Sequence, residues 1–269
     1  MKYLFFGTPE FAAIILEKLI GAGFAPAGVI CNPDRPVGRK KVITPPPTKV
    51  LAQKYGIPVS QPEKLKDFKI NNADFAIVAA YSKIIPKDIL ESFKLGVIGV
   101  HPSLLPKYRG ATPIQTAILN GEKETGVTLY LMDEKVDHGA IISASKLPIS
   151  DSDTYETLEK KLAEAAGDLL VKIIPGFIGK KIESEPQDEN RATYTKKFET
   201  KDAQVDLEKD NPVEIERKVR ALNPEPGAWT MKDGRRMKIL EAELNPPTGG
   251  GKLVLKKIQY EGKKPQVVN

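Results

Sequence analysis

His101 is one of only two histidines in the chain. It ends the apolar run Gly96-Val-Ile-Gly-Val100 and precedes the turn-rich segment Pro102-Ser-Leu-Leu-Pro-Lys-Tyr-Arg-Gly110. A β-branched run that delivers a lone imidazole onto a turn suits proton transfer or the polarisation of an oxygen, because the free ring titrates near neutrality. Further along, Asp133-Glu134-Lys135-Val136-Asp137-His138-Gly139 sets carboxylates on a second turn. A carboxylate beside an imidazole favours the charged ring and fixes its orientation, as it does in acyl-transfer triads. By itself, Asp137 reads first as an ordinary hairpin-turn residue.

These groups need a scaffold, and the pattern around them supplies one. Lys2 to Phe6 reads as a strand. Thr8 is placed to cap a helix with Pro9 at its first position, and Phe11, Ile14, Ile15, Leu19 and Ile20 recur at helical spacing. Ala27–Cys31, Asp74–Ala80 and Gly96–Val100 read as further strands, with Thr48 capping a helix between the first two. Thr125–Met132 and Ala140–Leu147 read as strands joined by the Asp137 turn, and Asp153 with Glu156 suggests a capping box for the next helix. Strands alternating with helices predict an α/β unit built on a mainly parallel sheet, with active groups just past the carboxyl ends of its strands. Composition turns polar near residue 180. The expected organisation is a catalytic domain over 1–180, a linker over 181–203 and a smaller β unit over 204–269. Glu214–Ala221 is the expected helix of that unit, and Asp233-Gly234 its hairpin turn. The turn Gly7-Thr-Pro-Glu-Phe11 lacks the later glycines of a dinucleotide fingerprint, so its role is read as structural.

Bulk composition removes several classes. No apolar run approaches the roughly 20 residues of a membrane helix, and the first residues enter a strand directly, so a cytoplasmic, membrane-free protein is the expectation. One cysteine excludes an internal disulfide. With only two histidines beside it, no metal is expected. The net charge of +6 is unevenly spread. Residues 31–50 hold five Lys or Arg against Asp34, and residues 231–269 hold nine against four acids. An exposed basic loop of this kind suits sequence-neutral contacts to phosphate. Monomer is the default oligomeric state.

The segments His101–Gly110, Pro113-Ile-Gln115, Glu124-Thr-Gly-Val-Thr128 and Met132-Asp-Glu-Lys-Val-Asp137-His-Gly139, in this order, resemble the folate-dependent formyltransferase family. Gly7-Thr-Pro-Glu-Phe-Ala12, Asn32-Pro-Asp-Arg-Pro-Val-Gly-Arg39 and Arg220-Ala-Leu-Asn-Pro-Glu-Pro-Gly227 bring the likeness to the members that act on methionyl-tRNA, and it spans nearly the whole chain. The resemblance implies a Rossmann-like formyltransferase sheet with a smaller OB-like β domain. It implies formyl transfer from 10-formyltetrahydrofolate to the amino group of initiator methionyl-tRNA, with no metal. His101 and Asp137 are the implied catalytic pair. Ser103, Leu104, Leu105 and Pro106 are the implied folate-pocket residues, and Ala80–Pro86 is similar to the loop that cradles the pterin. Arg35, Arg39, Lys40 and Lys41 are the implied tRNA contacts.

Two departures stand out. Gly99 occupies the position where the family carries an Asn two residues before the His, and loss of one oxyanion donor costs ~10²–10³ in rate. The enzyme is then slow, or a water or another side chain fills the gap, with Ser103 and Gln115 as the candidates, or the chemistry has changed, or the glycine is an introduced substitution or merely relieves crowding in the strand. The alternatives are a hydrolase or a small-amine or sugar formyltransferase of the same fold, and a catalytically impaired tRNA or folate binder. The stretch Pro246-Pro-Thr-Gly-Gly-Gly251 stands where extra strands are usual, so the C-terminal domain is expected to be truncated.

Overall fold

The computed structural model of the chain describes residues 1–38, 40–65, 68, 73–246 and 251–268. The chain opens with β1 (Tyr3–Gly7), α1 (Glu10–Gly21) and β2 (Gly28–Ile30), followed by β3 (Arg35–Val37), β4 (Val42–Thr44), α2 (Pro47–Lys54) and β5 (Val59–Ser60). Next come β6 (Phe75–Ala79), α3 (Lys87–Glu91), β7 (Val97–His101), β8 (Arg109–Gly110), α4 (Pro113–Leu119), β9 (Glu124–Leu131) and β10 (Ile141–Pro148). The long α5 (Tyr155–Ile178) precedes β11 (Tyr194–Thr195) and α6 (Pro212–Leu222). The strands β12 (Trp229–Lys232), β13 (Arg235–Asn245), β14 (Lys252–Tyr260) and β15 (Gln266–Val267) complete the order.

The central sheet runs β10-β9-β7-β6-β1-β2-β5. β1 pairs in parallel with β2 and β6, β2 with β5, and β6 with β7, while β9 runs antiparallel to β7. Every residue of β1, β6 and β7 is buried, because both faces of a parallel sheet are covered. Phe6, Ile30, Val78, Val97 and Leu90 share one core cluster. The functional consequence is topological: β7 ends at His101, on the edge of the sheet where the parallel strands release their carboxyl ends.

The chain divides into two compact units. One comprises 1–109, 126–147 and 159–193, and the other 110–125, 148–158 and 194–269. In the second unit α4 packs on α6, and β12-β13-β14-β15 form an antiparallel meander over Val205, Ile215, Val219 and Ile239. Asp233 and Gly234 both have positive φ (51° and 71°), the geometry of a tight two-residue hairpin. The glycine run expected at 249–251 lies, but for Gly251, outside the described residues, as does most of 246–251.

Local capping differs from the sequence expectations. Thr8 Oγ1 accepts from the Asn32 amide at 3.2 Å, and Thr48 Oγ1 donates to the Gly7 carbonyl at 2.9 Å. Both hydroxyls tie loops together, and prolines stand at the helix starts instead. At α5 the reciprocal pair is Thr154 with Thr157, and Asp153 bonds the Ser150 amide and the Thr157 hydroxyl. Much of the segment read as a linker is held by hydrogen bonds, and Thr112 Oγ1 still donates to the Lys196 carbonyl at 2.7 Å. Glu185 exchanges backbone bonds with Ile141, and Thr193 accepts from the Arg109 amide.

Candidate active site

In the β7–β9 pair Gly99 stands opposite Tyr130, and His101 opposite Thr128. Directly opposed residues share a face and alternate residues repeat it, so one side of these two strands carries Gly99, His101, Thr128 and Tyr130. The other side carries Ile98, Val100, Leu129 and Leu131. The segregation is visible in β9 itself, where Gly126, Thr128 and Tyr130 alternate with Val127, Leu129 and Leu131.

His101 is 5% exposed. Its Nε2 lies 2.8 Å from the Tyr108 carbonyl, and its Nδ1 lies 3.5 Å from Asp137 Oδ2. A carbonyl oxygen only accepts, so Nε2 carries a proton in this arrangement and Nδ1 faces the carboxylate. The structure thus brings the two sequence-selected groups together. A proton arriving on Nδ1 is received against a negative charge.

The Asp137 turn is built to hold this geometry. Asp137 has φ 48°, a left-handed conformation that an Asx residue tolerates. Gly139 must be glycine, because a Cβ there would fall 1.6 Å from the Leu131 carbonyl oxygen. Gln187 Nε2 donates to the carbonyls of Asp137 and Gly139 at 2.9 and 2.8 Å. Gln187 is itself gripped by Arg109, whose Nε and Nη2 donate to Oε1 at 3.1 and 2.7 Å. Arg109 is fully buried and also forks onto Glu189 at 3.0 and 2.6 Å, which holds that carboxyl below its ordinary pKa. One planar guanidinium therefore fixes the segment that fixes the turn.

Tyr130 completes the cluster. Its hydroxyl donates to Asp137 Oδ1 at 2.8 Å. Burial, with the Asp137 charge beside it, pushes the phenol well above the ordinary tyrosine value, so it stays a proton donor at working pH. Its ring also accounts for Gly99. A Cβ at position 99 would lie 2.4 Å from Tyr130 Cε1 and Cζ and 2.8 Å from the hydroxyl oxygen. Of the two residues expected to fill the Gly99 gap, Ser103 is engaged elsewhere, its hydroxyl donating to the Lys107 carbonyl at 2.6 Å.

The turn Ser103-Leu104-Leu105-Pro106 is stapled by Thr128. Its hydroxyl donates to the Ser103 carbonyl at 2.7 Å and accepts from the Leu105 amide at 3.1 Å. Ser103 and Leu105 are buried, and Leu104 and Pro106 are half-buried. Beyond the carboxyl ends of β2 and β6, Asn32 Nδ2 donates to Ser82 Oγ at 2.9 Å. Asn32 Oδ1 and the Tyr81 hydroxyl, both buried there, have no hydrogen-bond partner. Buried polar atoms in this state await a water or a polar ligand.

Arg35, Lys40 and Lys41 are exposed, while Arg39 lies outside the described residues. The basic loop is a β-hairpin, with Arg35 opposite Thr44 and Val37 opposite Val42. It also exposes Val37, Val42 and Ile43. Lys49 does not join its field, because it pairs with Asp34 at 2.8 Å and keeps that carboxyl below its ordinary pKa. Among the described residues no group of three or more His, Cys, Asp or Glu could hold a metal ion.

Sequence reasoning missed Tyr130, Thr128, Arg109 and Gln187. For the first two a signal existed in the polar and apolar alternation of β9. Arg109 lay inside the His101–Gly110 segment, but for Gln187 there was no signal, since it meets Arg109, 78 positions away, only in the fold.

The family described as formyl transferase matches residues 1–174, and the one described as formyl transferase, C-terminal domain, matches 197–253. A methionyl-tRNA formyltransferase of Halalkalibacterium halodurans is 45% identical over 250 residues, covering 90% of this chain and 78% of that protein. One from Synechococcus is 39% identical over 302 aligned positions, covering 99% and 93%. Among solved structures, an N-formyltransferase from Helicobacter canadensis in complex with folinic acid and dTDP-3-aminofucose superposes with a TM-score of 0.65 at 24% identity. It covers 91% of this chain and 88% of that one.

Proposed function

This chain belongs to the formyl transferase family, and from that premise we infer that His101 and Asp137 are the groups that carry its formyl transfer. Its activity is the formylation of methionyl-tRNA. The enzyme moves a formyl group from a formyl-tetrahydrofolate to the amino group of methionyl initiator tRNA. The donor we propose is 10-formyltetrahydrofolate.

When bound, the folate supplies an activated formyl carbon. Attack by the amine puts negative charge on the formyl oxygen and leaves a proton on nitrogen. His101 can take that proton on Nδ1 while Asp137 balances the new charge, and can return it to the folate nitrogen as the oxyanion collapses and the formyl–folate C–N bond breaks. The observation that carries this reading is the 3.5 Å apposition of His101 and Asp137 at the carboxyl end of β7. Tyr108 holds the other ring nitrogen, so rotation of the imidazole is restricted before substrate arrives. The unpartnered Asn32 Oδ1 and Tyr81 hydroxyl support a polar ring system binding past β2 and β6. The fixed turn 103–106 would supply backbone groups and the Leu104 surface rather than the Ser103 hydroxyl. We assign Arg35, Arg39, Lys40 and Lys41 to the tRNA, residues 1–180 to catalysis, and 204–269 to a reduced C-terminal domain, acting as a monomer.

The test is incubation with 10-formyltetrahydrofolate in the presence and absence of methionyl initiator tRNA, following tetrahydrofolate release and tRNA formylation together. Release matched one for one by formylation, and abolished by His101→Ala, is expected. Steady release without tRNA would mark a hydrolase and overturn the reading. Full formylation by His101→Ala would remove the imidazole from the mechanism.

A further inference from the structure

We propose that Gly99 and Tyr130 form one functional unit, in which Tyr130 is a positioning residue that holds the Asp137 carboxylate against His101. The inference rests on the reading of His101 and Asp137 as the transferring pair and extends it to a residue that reading does not use.

Three observations carry it. First, the geometry is specific. The Tyr130 hydroxyl donates to Oδ1 of Asp137 at 2.8 Å, while Oδ2 of the same carboxylate faces His101 Nδ1 at 3.5 Å. Deleting the Tyr130 donor removes one restraint on the torsion of the Asp137 side chain. A misplacement of about 1 Å at a reacting pair can cost ~10²-fold in rate. Second, the ring can reach this carboxylate only because position 99 has no side chain. Gly99 and Tyr130 are cross-strand partners, and the three atoms that a Cβ at 99 would strike are Cε1, Cζ and the hydroxyl of Tyr130. The glycine is therefore not merely a missing donor. It is the space that the phenol occupies. Third, the phenol is 4% exposed and sits on the polar face of β9, in line with Thr128. A residue there only to fill volume would need no hydroxyl, and a buried hydroxyl is tolerated when it finds a partner.

This assigns a different logic to the site from the one Gly99 suggests alone. Polar function at this place comes from β9 and acts through the acid, not from β7 onto the formyl oxygen. Reintroducing a side chain at 99 should damage the site unless the ring is removed with it.

The experiment uses the full chain with 10-formyltetrahydrofolate and methionyl initiator tRNA, and measures kcat and both KM values. Tyr130→Phe keeps the ring and deletes the donor. The expected result is a ~10–100-fold fall in kcat with each KM within about two-fold of the parent. A packing defect alone would not produce that split at an unchanged melting temperature. Gly99→Asn alone should be less active than the parent. The double variant Gly99→Asn with Tyr130→Leu, where leucine lacks the three clashing atoms, should exceed Gly99→Asn by about ten-fold or more. A Tyr130→Phe enzyme with kcat within two-fold of the parent overturns the proposal. If Tyr130→Phe does not fold, the comparison of Gly99→Asn with the double variant decides: recovery supports the unit, and no recovery overturns it. His101→Ala, run alongside, separates the two claims. Lost activity there with an unaffected Tyr130→Phe sinks only the positioning role. Retained activity sinks the site reading itself.

Discussion

At the scale of single residues, the site is governed by groups that hold other groups. His101 is held by a carbonyl and faced by a carboxylate, and the turn after it is held by Thr128. Thr128 makes two opposite hydrogen bonds with one hydroxyl, donating to Ser103 and accepting from Leu105, and it is fully buried. Valine has the same shape without either capacity. Thr128→Val should leave the Leu105 amide buried without its partner and cost about 1–3 kcal/mol, read from the urea midpoint. It should also raise KM for the folate while leaving KM for tRNA unchanged. A variant as stable as the parent would show that the staple contributes little.

At the scale of elements, the basic region matters because it is a hairpin rather than a loose loop. The β3–β4 pairing presents Arg35 and Lys41 from a short ribbon whose exposed side chains also include Val37, Val42 and Ile43. Cations raised on a ribbon meet phosphates with less ordering cost than cations on a free chain. Reversing charge with Arg35→Glu and Lys41→Glu should raise KM for tRNA about ten-fold or more at low salt and flatten its salt dependence. KM for 10-formyltetrahydrofolate should stay within two-fold. Equal effects on both substrates would show that the hairpin is not the tRNA-facing element. The same element marks a limit of sequence reading. Residues 32–49 read as a basic loop because Gly38, Arg39, Lys40 and Lys41 carry no strand signal, while the pairing of Val37 with Val42 had to be seen.

At the scale of the whole molecule, three buried phenols link stability to alkaline pH. Burial holds Tyr3 and Tyr130 far above the ordinary tyrosine value and pushes Tyr81 up to about 12. Tyr3 also donates to the Phe24 carbonyl at 2.6 Å. In the unfolded chain each ionises near pH ~10. Above that pH the folded state binds more protons than the unfolded one, so stability falls as pH rises. Stability that is intact up to pH ~9.5 should decline between pH ~10 and ~12. Tyr3→Phe should lessen the slope of the urea midpoint against pH over that window. A slope identical to the parent's would mean that Tyr3 ionises freely in the folded protein.

The sequence by itself determined the order of the main strands β1, β2, β6, β7, β9 and β10, the end of β7 at a lone imidazole, and the Asp137 turn beside it. Those features are local. They follow from side-chain periodicity, from turn chemistry and from the few residue types able to move a proton. Only the tertiary structure decided that Tyr130 fills the place left by Gly99, that Arg109 reaches Gln187 to fix the acid's turn, and that residues 185–193 are held rather than free. Each of these depends on which backbone lies opposite which, and a shift of one residue between β7 and β9 would send Tyr130 to the other face. Register between distant strands is set by the packing of the whole sheet, so no window of the sequence contains it.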